Sequence, residues 1–111
     1  MNTPIHQKYA TACYAVICRD VPDSAVKRAA ATPAHFTYIE GILDEILVAG
    51  PLFDDEGRRV IGSILILRTQ SAERATELVT TDPYNAAGVW ASIEIRPFLP
   101  AAGSYVGGTS W

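Results

Sequence analysis

The stretch LVAGPLFDDEGRRVIGSILIL, Leu47 to Leu67, contains two apolar runs separated by a short polar one. The first run, LVAGPLF, is typical of a short strand, and the second, Val60 to Leu67, is rich in β-branched and aliphatic residues. The DDEG segment between them, Asp54 to Gly57, has the composition of a hairpin turn. The sequence therefore predicts two antiparallel strands near the middle of the chain.

A helix is predicted on each side of this hairpin. On the N-terminal side, a short helical piece from Ser24 to Ala31 precedes a longer helix, which Thr32 caps and Pro33 begins. The apolar stripe of that longer helix repeats at intervals of three and four residues and comprises Phe36, Ile39, Ile42, Leu43 and Ile46. On the C-terminal side, Ser71 caps a second helix, whose stripe is Ala72, Ala75, Leu78 and Val79.

One further strand is predicted at each end of this pattern. The segment from Tyr9 to Cys18 is apolar and rich in β-forming residues. Near the C-terminus, Val89, Ala91, Ile93 and Ile95 alternate with more polar neighbours at a period of two. The order β-α-β-β-α-β is that of a ferredoxin-like α+β fold, with one antiparallel sheet and both helices on one face.

The length and the strand composition predict the domain organisation and the oligomeric state. A chain of 111 residues suits one domain, 1–111, with a core at about 9–98 and a C-terminal tail at 99–111. In the strand segments CYAVIC and ILIL, the odd-numbered and the even-numbered positions are both apolar, as expected for strands that are buried on both faces. Because the helices cover only one face, the sequence predicts that a second copy covers the other, in a homodimer.

Charge and hydropathy narrow the class of partner. The formal net charge is −3, and the nine Lys and Arg residues are scattered without forming a basic stripe. No apolar run has the length needed to span a bilayer, and the N-terminus does not resemble a signal peptide. We therefore expect a cytoplasmic protein that binds a small molecule, with neither nucleic acid nor a membrane as partner.

Cysteine and histidine usage predicts no disulfide and no metal. Cys13 and Cys18 lie five residues apart in one predicted strand, so they point to opposite faces and are expected to be unbridged core residues. Catalytic zinc usually needs three protein ligands, and the only histidines are His6 and His35. No glycine-rich dinucleotide or phosphate motif is present either, so no cofactor is expected.

His35 and Asp82 are the candidate catalytic residues. His35 is predicted to lie beside the apolar stripe in the first turn of its helix, and Asp82 just beyond the end of the second helix. An N-terminus disfavours a protonated imidazole and a C-terminus disfavours a carboxylate, so pairing would offset both penalties. Two alternatives stay open: a core histidine satisfied by the backbone, and an Asp82 that only shapes the turn before Pro83.

Several segments, in this order, resemble the YciI-like (YCII-related) family of small proteins with the dimeric α+β barrel fold: TPAHFTYI, LVAGPL, GSILIL, DPYNAAGVW and IEIRPF. The resemblance runs from about Tyr9 to Phe98. It implies that His35 and Asp82 occupy the positions of the family's His-Asp pair, the proposed active site of that family.

The same resemblance implies further pocket residues. Gly50, Pro51 and Ser63 match family positions near the pocket, and Arg28 matches as well. Thr32 departs from the pattern, because many relatives have an arginine directly before the Pro-Ala-His segment. The reactions of the family are largely unassigned, and some relatives are linked to elimination chemistry on chlorinated hydroxyquinols.

The expected activity is a lyase or isomerase reaction on a small carbonyl or phenolic compound. Neutral His35 would remove a proton, and Asp82 would orient the imidazole and stabilise its charged form. Tyr38 and Tyr84 are secondary candidates for substrate contacts through their hydroxyl groups. A non-catalytic module that binds or senses a small molecule is the alternative, because an apolar cleft with a few polar groups serves binding and catalysis equally well.

Overall fold

The computed structural model of the chain describes residues 13–110, so the first part of the strand predicted from Tyr9 lies outside the described residues. The order β-α-β-β-α-β is confirmed. Its strands are β1 (Cys13–Asp20), β2 (Ile46–Phe53), β3 (Val60–Leu67) and β4 (Trp90–Phe98), and its helices are α1 (Ala25–Glu40), α2 (Ala72–Thr81) and the short α3 (Pro83–Ala86).

The four strands form one antiparallel sheet in the order β2-β3-β1-β4. The predicted hairpin is confirmed, since β2 pairs antiparallel with β3 and Pro51 lies opposite Ser63. In the centre of the sheet, Val16 of β1 lies opposite Leu65 of β3 and Ile95 of β4. This is the predicted ferredoxin-like α+β fold.

The core lies between the sheet and the helices. The central strands contribute Val16, Cys18, Leu65 and Leu67 to it, and the helices contribute Ala31, Ala75, Leu78 and Val79. Because side chains alternate along a strand, Ile17 and Ile64, which lie opposite each other, point away from this core. Cys13 and Cys18 are buried and unbridged, as predicted.

The prediction of two helical segments before β2 was wrong, because α1 is continuous and contains Pro33. A proline inside a helix removes one backbone hydrogen bond, yet helices tolerate it where tertiary packing stabilises both flanking turns. Packing is present on the N-terminal side of Pro33 at Ala31, which is buried, and on its C-terminal side at Ile39, which packs against the core. His35 therefore lies in the interior of a helix of 16 residues and not in its first turn.

The predicted apolar stripe of this helix was also too long. The helix ends at Glu40, and a 3₁₀ turn, Leu43–Glu45, leads into β2, which begins at Ile46. Leu43 is 60% exposed and Phe36 is 59% exposed, so neither belongs to the core. The periodic pattern continued past the helix because the first residues of an apolar strand follow it after only a short connection.

The predicted C-terminal tail is partly folded. Two short strands, β5 (Ala102–Gly103) and β6 (Gly108–Thr109), pair antiparallel around a 3₁₀ turn in which Val106 is buried. The Ser110 N–H closes this unit by donating to the Ala101 carbonyl oxygen at 2.6 Å. Within residues 13–110, no helix has the length and apolar character that crossing a bilayer requires.

Candidate functional site

A cleft of about 580 Å³ separates α1 from the β2–β3 hairpin. Helix α1 contacts α3 and makes few contacts with β2, and Ala49 and Pro51, on the helix side of β2, are exposed. Its lining is mainly apolar and aromatic with a few polar groups, the usual character of a small-molecule site. The residues around it are Ala25, Arg28, Thr32, His35, Phe36, Ile39, Ala49, Gly50, Pro51, Arg58, Arg59, Val60, Ser63, Ile64, Leu65, Tyr84 and Trp90.

His35 and Asp82 are in hydrogen-bond contact at this cleft. The distances from His35 Nδ1 to the two carboxylate oxygens of Asp82 are 2.8 and 2.9 Å. A carboxylate can only accept, so Nδ1 carries the proton and donates it, and in the neutral ring Nε2 holds a lone pair. Nε2 makes no hydrogen bond to any residue in 13–110. The pair thus has the arrangement of an oriented base.

The backbone around Asp82 explains why its carboxylate is held in place. Helix α2 ends at Thr81, and Pro83 begins α3, so Asp82 is the N-cap of that short helix. Its Oδ1 accepts from the Tyr84 N–H at 2.9 Å, and the residue is only 1% exposed. Asp82 therefore has both the turn role that its proline neighbour suggested and the partner that the turn role left open.

The helix-end argument used to predict this pair does not hold. Asp82 follows the end of α2, as predicted, but it also caps the N-terminus of α3, which stabilises a carboxylate, and His35 is an interior residue of α1. The two side chains are brought together by tertiary packing, because α1 and α3 contact each other directly.

Tyr84 links the pair to the rest of α1. Its ring stacks on the His35 imidazole, with centroids 3.9 Å apart and planes tilted by 15°. Its hydroxyl lies 2.8 Å from Thr32 Oγ1, and Thr32 donates its own proton to the Arg28 carbonyl oxygen at 2.6 Å. The Tyr84 hydroxyl is therefore the donor to Thr32. The imidazole is fixed by a hydrogen bond at its edge and an aromatic contact on its face.

Arg28 contacts the same ring, with its guanidinium carbon 4.7 Å from the Tyr84 centroid. Its Nε and Nη2 donate to the carboxylate of Asp20 at 2.6 and 3.0 Å, and Nη2 also donates to the Gly62 carbonyl and to Ser63 Oγ, each at 3.1 Å. Burial lowers the pKa of Arg28, but the hydrogen bond and the charge of Asp20 outweigh it and raise that pKa overall. Arg28 is thus a neutralised cation in the cleft wall.

The thiol of Cys18 lies close enough to both carboxylates to be affected by them. Burial, followed by the charges of Asp82 and Asp20, raises its pKa to about 12, although Arg28 opposes the change. Such a thiol stays protonated at neutral pH and is a poor nucleophile. Cys18 is therefore a core residue of the site and not a reactive one.

The predicted site residues fall into two groups. Arg28, Gly50, Pro51, Ser63, His35 and Tyr84 line the cleft, and Asp82 lies directly behind His35. Tyr38 is different: its hydroxyl donates to the Leu78 carbonyl oxygen at 2.7 Å, which ties α1 to α2, and it is not among the cleft residues. Burial and the nearby Asp82 charge raise the pKa of Tyr38.

Sequence reasoning missed four residues of the site. Asp20 is the last residue of β1, and its pairing with Arg28 has no local signal, because the pairing depends on how the loop between β1 and α1 folds. Trp90 lines the cleft and packs edge-on against Tyr84, with ring centroids 5.9 Å apart. Arg58 and Arg59 follow the predicted turn and line the cleft, and the sequence analysis assigned them no role. Their adjacency in an acidic chain was the available clue.

Residues 13–110 contain no group of three or more His, Cys, Asp or Glu side chains arranged to hold an ion, and His6 lies outside that range.

The chain is similar in sequence to several known proteins. The YCII-related domain family matches residues 12–99. Protein YciI of Escherichia coli O6:H1 is 35% identical over 92 residues, which cover 77% of this chain and 94% of the relative. An uncharacterised protein of Haemophilus influenzae is 30% identical over the same coverage.

A solved structure has the same fold. The 5-chloro-2-hydroxyhydroquinone dehydrochlorinase TftG from Burkholderia phenoliruptrix AC1100, in complex with 2,5-dihydroxybenzoquinone, superposes with a TM-score of 0.71 at 25% identity. The match covers 84% of this chain and 97% of the dehydrochlorinase. That neighbour is a dehydrochlorinase with a small ring compound bound.

Proposed function

Because the chain belongs to the YCII-related domain family, we propose that it is a small-molecule lyase that needs no cofactor, with His35 as the general base and Asp82 as its orienting partner. The observation that carries this proposal is the 2.8 Å contact between His35 Nδ1 and Asp82 at the wall of an apolar cleft. It supports a base because it gives one ring nitrogen the proton and the other the lone pair.

Elimination suits the groups that are present. Nε2 of His35 would take a proton from an acidic hydroxyl or C–H of the substrate, and the leaving group would depart with its bonding electrons as a new double bond forms. A positioned base contributes on the order of 100-fold to 10,000-fold, so the proton must already be acidic, as it is on a chlorinated phenol. Isomerisation of a carbonyl compound by proton transfer places the same demand on His35.

The substrate class is supported by the fold neighbour, whose printed name describes dehydrochlorination of a chlorinated hydroxyhydroquinone. A flat ring suits a cleft whose walls include Phe36, Pro51 and Trp90, because aromatic and apolar surfaces bury such a ring efficiently. We therefore extend the proposal to phenolic or quinol substrates that carry a leaving group.

Chloride release tests this proposal. The wild-type protein is mixed with a chlorinated hydroxyquinol, and free chloride and the quinone absorbance are followed with time. We expect turnover in the wild type and a loss of about 100-fold or more in His35→Gln, because only the base is removed. Glu40→Gln, at the exposed end of the same helix, is the matched control and should keep full activity.

Binding without turnover would favour the alternative function. If the compounds shift the NMR signals of His35 but a panel of chlorinated hydroxyquinols, lactones and keto acids is left unchanged, the protein is a binding or sensing module. Such a result would contradict the lyase proposal while leaving the cleft as the ligand site.

We also propose that the protein is a homodimer that pairs the sheet faces opposite the helices. Apolar side chains of that face support it: Ile17 and Ile64 lie opposite each other there, and Val48 on β2 is 42% exposed. Faces of this kind are usually covered by another layer. Sedimentation at micromolar concentration should give a dimer, and a monomer there would contradict the proposal.

A further inference from the structure

The hairpin side of the cleft carries two arginines that play no part in the proposed chemistry. Arg58 and Arg59 lie in the loop between β2 and β3, and both line the cleft. Among residues 13–110, no hydrogen bond or ion pair is made by the guanidinium of Arg58. Arg59 is 66% exposed, and its one ion pair, from Nε to Asp54 Oδ2, is long at 3.9 Å.

Asp54 cannot neutralise this pair of charges. Its Oδ1 accepts hydrogen bonds from the backbone N–H groups of Arg58 at 3.0 Å and Arg59 at 3.3 Å. The carboxylate thus stabilises the backbone of the loop. Asp55 and Glu56 of the same loop do not line the cleft, and neither does any other Asp or Glu of residues 13–110. Within the cleft lining, the charges of both arginines therefore have no carboxylate partner. These charges stand out because the whole chain has a formal net charge of −3.

The other cation of the cleft behaves differently. Arg28 is clamped by both oxygens of Asp20 and by two further acceptors, so its charge is already matched inside the protein. Within residues 13–110, Arg58 and Arg59 have no such partners, and the cleft lining that they share with His35 includes the apolar residues Phe36 and Pro51. The cleft therefore offers an apolar surface with uncompensated positive charge on the hairpin side and an oriented base on the α1 side.

An aromatic ring that bears a carboxylate matches this arrangement. The planar guanidinium forms two parallel hydrogen bonds with a carboxylate, and this geometry recognises the group more specifically than a point charge does. We propose that Arg58 and Arg59 select phenolic substrates that carry a carboxylate and orient the ring so that its acidic hydroxyl meets His35. This inference rests on the proposed function for the role of His35, but the selection itself is a binding property.

A matched pair of ligands tests the selection without any turnover. The probes are 2,5-dihydroxybenzoate and its neutral amide, 2,5-dihydroxybenzamide, which share the ring and both hydroxyls. Titration calorimetry gives both dissociation constants, and NMR signals of His35 and Trp90 show whether binding occurs in the cleft. We expect the benzoate to bind about tenfold more tightly than the amide, since charge-assisted hydrogen bonds contribute that much where they are partly exposed.

Three variants assign the preference to the hairpin. Arg58→Gln and Arg59→Gln should each weaken benzoate binding by about threefold to fivefold, and the double variant should bind both probes equally. Affinity for the amide should not change. Lys27→Gln on α1 removes one positive charge from an exposed residue outside the cleft, and it should keep the full preference.

The outcomes separate this inference from the proposed function. Equal affinities in the wild type, no binding of the benzoate up to its solubility, or an unchanged preference in the double variant would each overturn the arginine selection. A clear preference in a protein that turns over no substrate would support the selection and contradict only the lyase. An amide NMR spectrum of each variant confirms that a lost preference is not lost folding.

Discussion

Two carboxylates, each bound to one basic side chain, lie side by side against one aromatic ring, and the two pairs differ in the groups that they leave available. Asp20 binds Arg28, and Asp82 binds His35, while the Tyr84 ring contacts both basic side chains. In the first pair, Nε and Nη2 of the guanidinium donate hydrogen bonds to Asp20 and neighbouring acceptors. The guanidinium stays charged at every physiological pH. In the second, one nitrogen is held and the other keeps a lone pair.

The difference shows how one kind of partner gives two roles. A carboxylate beside a permanent cation makes a structural pair, because neither group can exchange a proton near neutral pH. The same carboxylate beside an imidazole fixes the position of a proton and leaves a base. The pairs therefore predict opposite outcomes when their acidic members are changed: loss of chemistry at Asp82, and loss of stability at Asp20.

Asp82→Asn should give the largest effect, and it should be on activity. Tyr84 N–H holds the side-chain oxygen at the Oδ1 position, so the amide nitrogen takes the Oδ2 position, 2.9 Å from His35 Nδ1. There its N–H opposes a proton on Nδ1 and favours the tautomer whose proton is on Nε2. We expect turnover to fall by about 100-fold, and by no more than in His35→Gln, because Asp82 acts through the base that it orients.

The tautomer itself can be measured independently of turnover. Ring ¹⁵N NMR should show His35 protonated on Nδ1 in the wild type and on Nε2 in Asp82→Asn, with His6 as an internal reference. Because Asp82 is 1% exposed, the substitution should also cost about 1 kcal/mol of unfolding free energy. An unchanged tautomer would remove the orienting role and leave Asp82 as a cap.

Asp20→Ala should give the next largest effect, and it should be on stability. It leaves Arg28, whose side chain is 11% exposed, as a buried cation without its carboxylate. Breaking a buried pair from one side costs about 3 kcal/mol. Urea unfolding measures this loss, and Asp55→Ala at the exposed hairpin turn is the control, which should change stability little. A loss of stability as small as that of the control would contradict the structural role of the Asp20–Arg28 pair.

A smaller effect should appear at Cys18, which is affected by both carboxylates. Its folded pKa is about 12 against an ordinary value of 9.0, so the native state holds the thiol proton more tightly than the unfolded chain does. The unfolded chain thus loses a proton first as pH rises, and stability falls above about pH 9. Between about pH 8 and pH 9.5 the loss should be roughly 0.8 kcal/mol.

Cys18→Ala isolates this contribution. The variant is less stable at every pH because it leaves a small cavity, but the part of the slope due to Cys18 should disappear. Urea unfolding of both proteins at several pH values gives the difference. A slope that is the same in both would show that the thiol is not held protonated by its surroundings.

The sequence was sufficient for elements whose signals are local. The hairpin between β2 and β3, the cap at Ser71, whose Oγ accepts from the Arg74 N–H at 3.1 Å, and the period of two in β4 are all set by near neighbours. The His35–Asp82 pair was also predicted correctly as a contact, although the argument from helix ends was wrong. The family resemblance, and not the helix dipoles, was the sound basis for predicting this contact.

Other features depend on contacts between distant segments. Pro33 is compatible with one continuous α1 only because tertiary packing outweighs a local preference. Asp20 meets Arg28 because the loop after β1 turns back, and Ser24 Oγ completes the arrangement by donating to Asp20 at 2.6 Å. Arg58 and Arg59 reach the cleft through the geometry of the hairpin loop. The spacing of residues in a single sequence does not predict these contacts between distant segments.

Gly62 places a constraint on how this protein can vary. Its backbone passes so close to β1 that a Cβ at this position would overlap the Cys18 carbonyl oxygen. Even alanine would push β1 and β3 apart beside the bulge at Asp20, and the Gly62 carbonyl would move away from Arg28. In a library of variants, this position should accept one amino acid while the exposed turn at Asp55 accepts many. The position of Arg28 thus depends on residue 62 having no side chain.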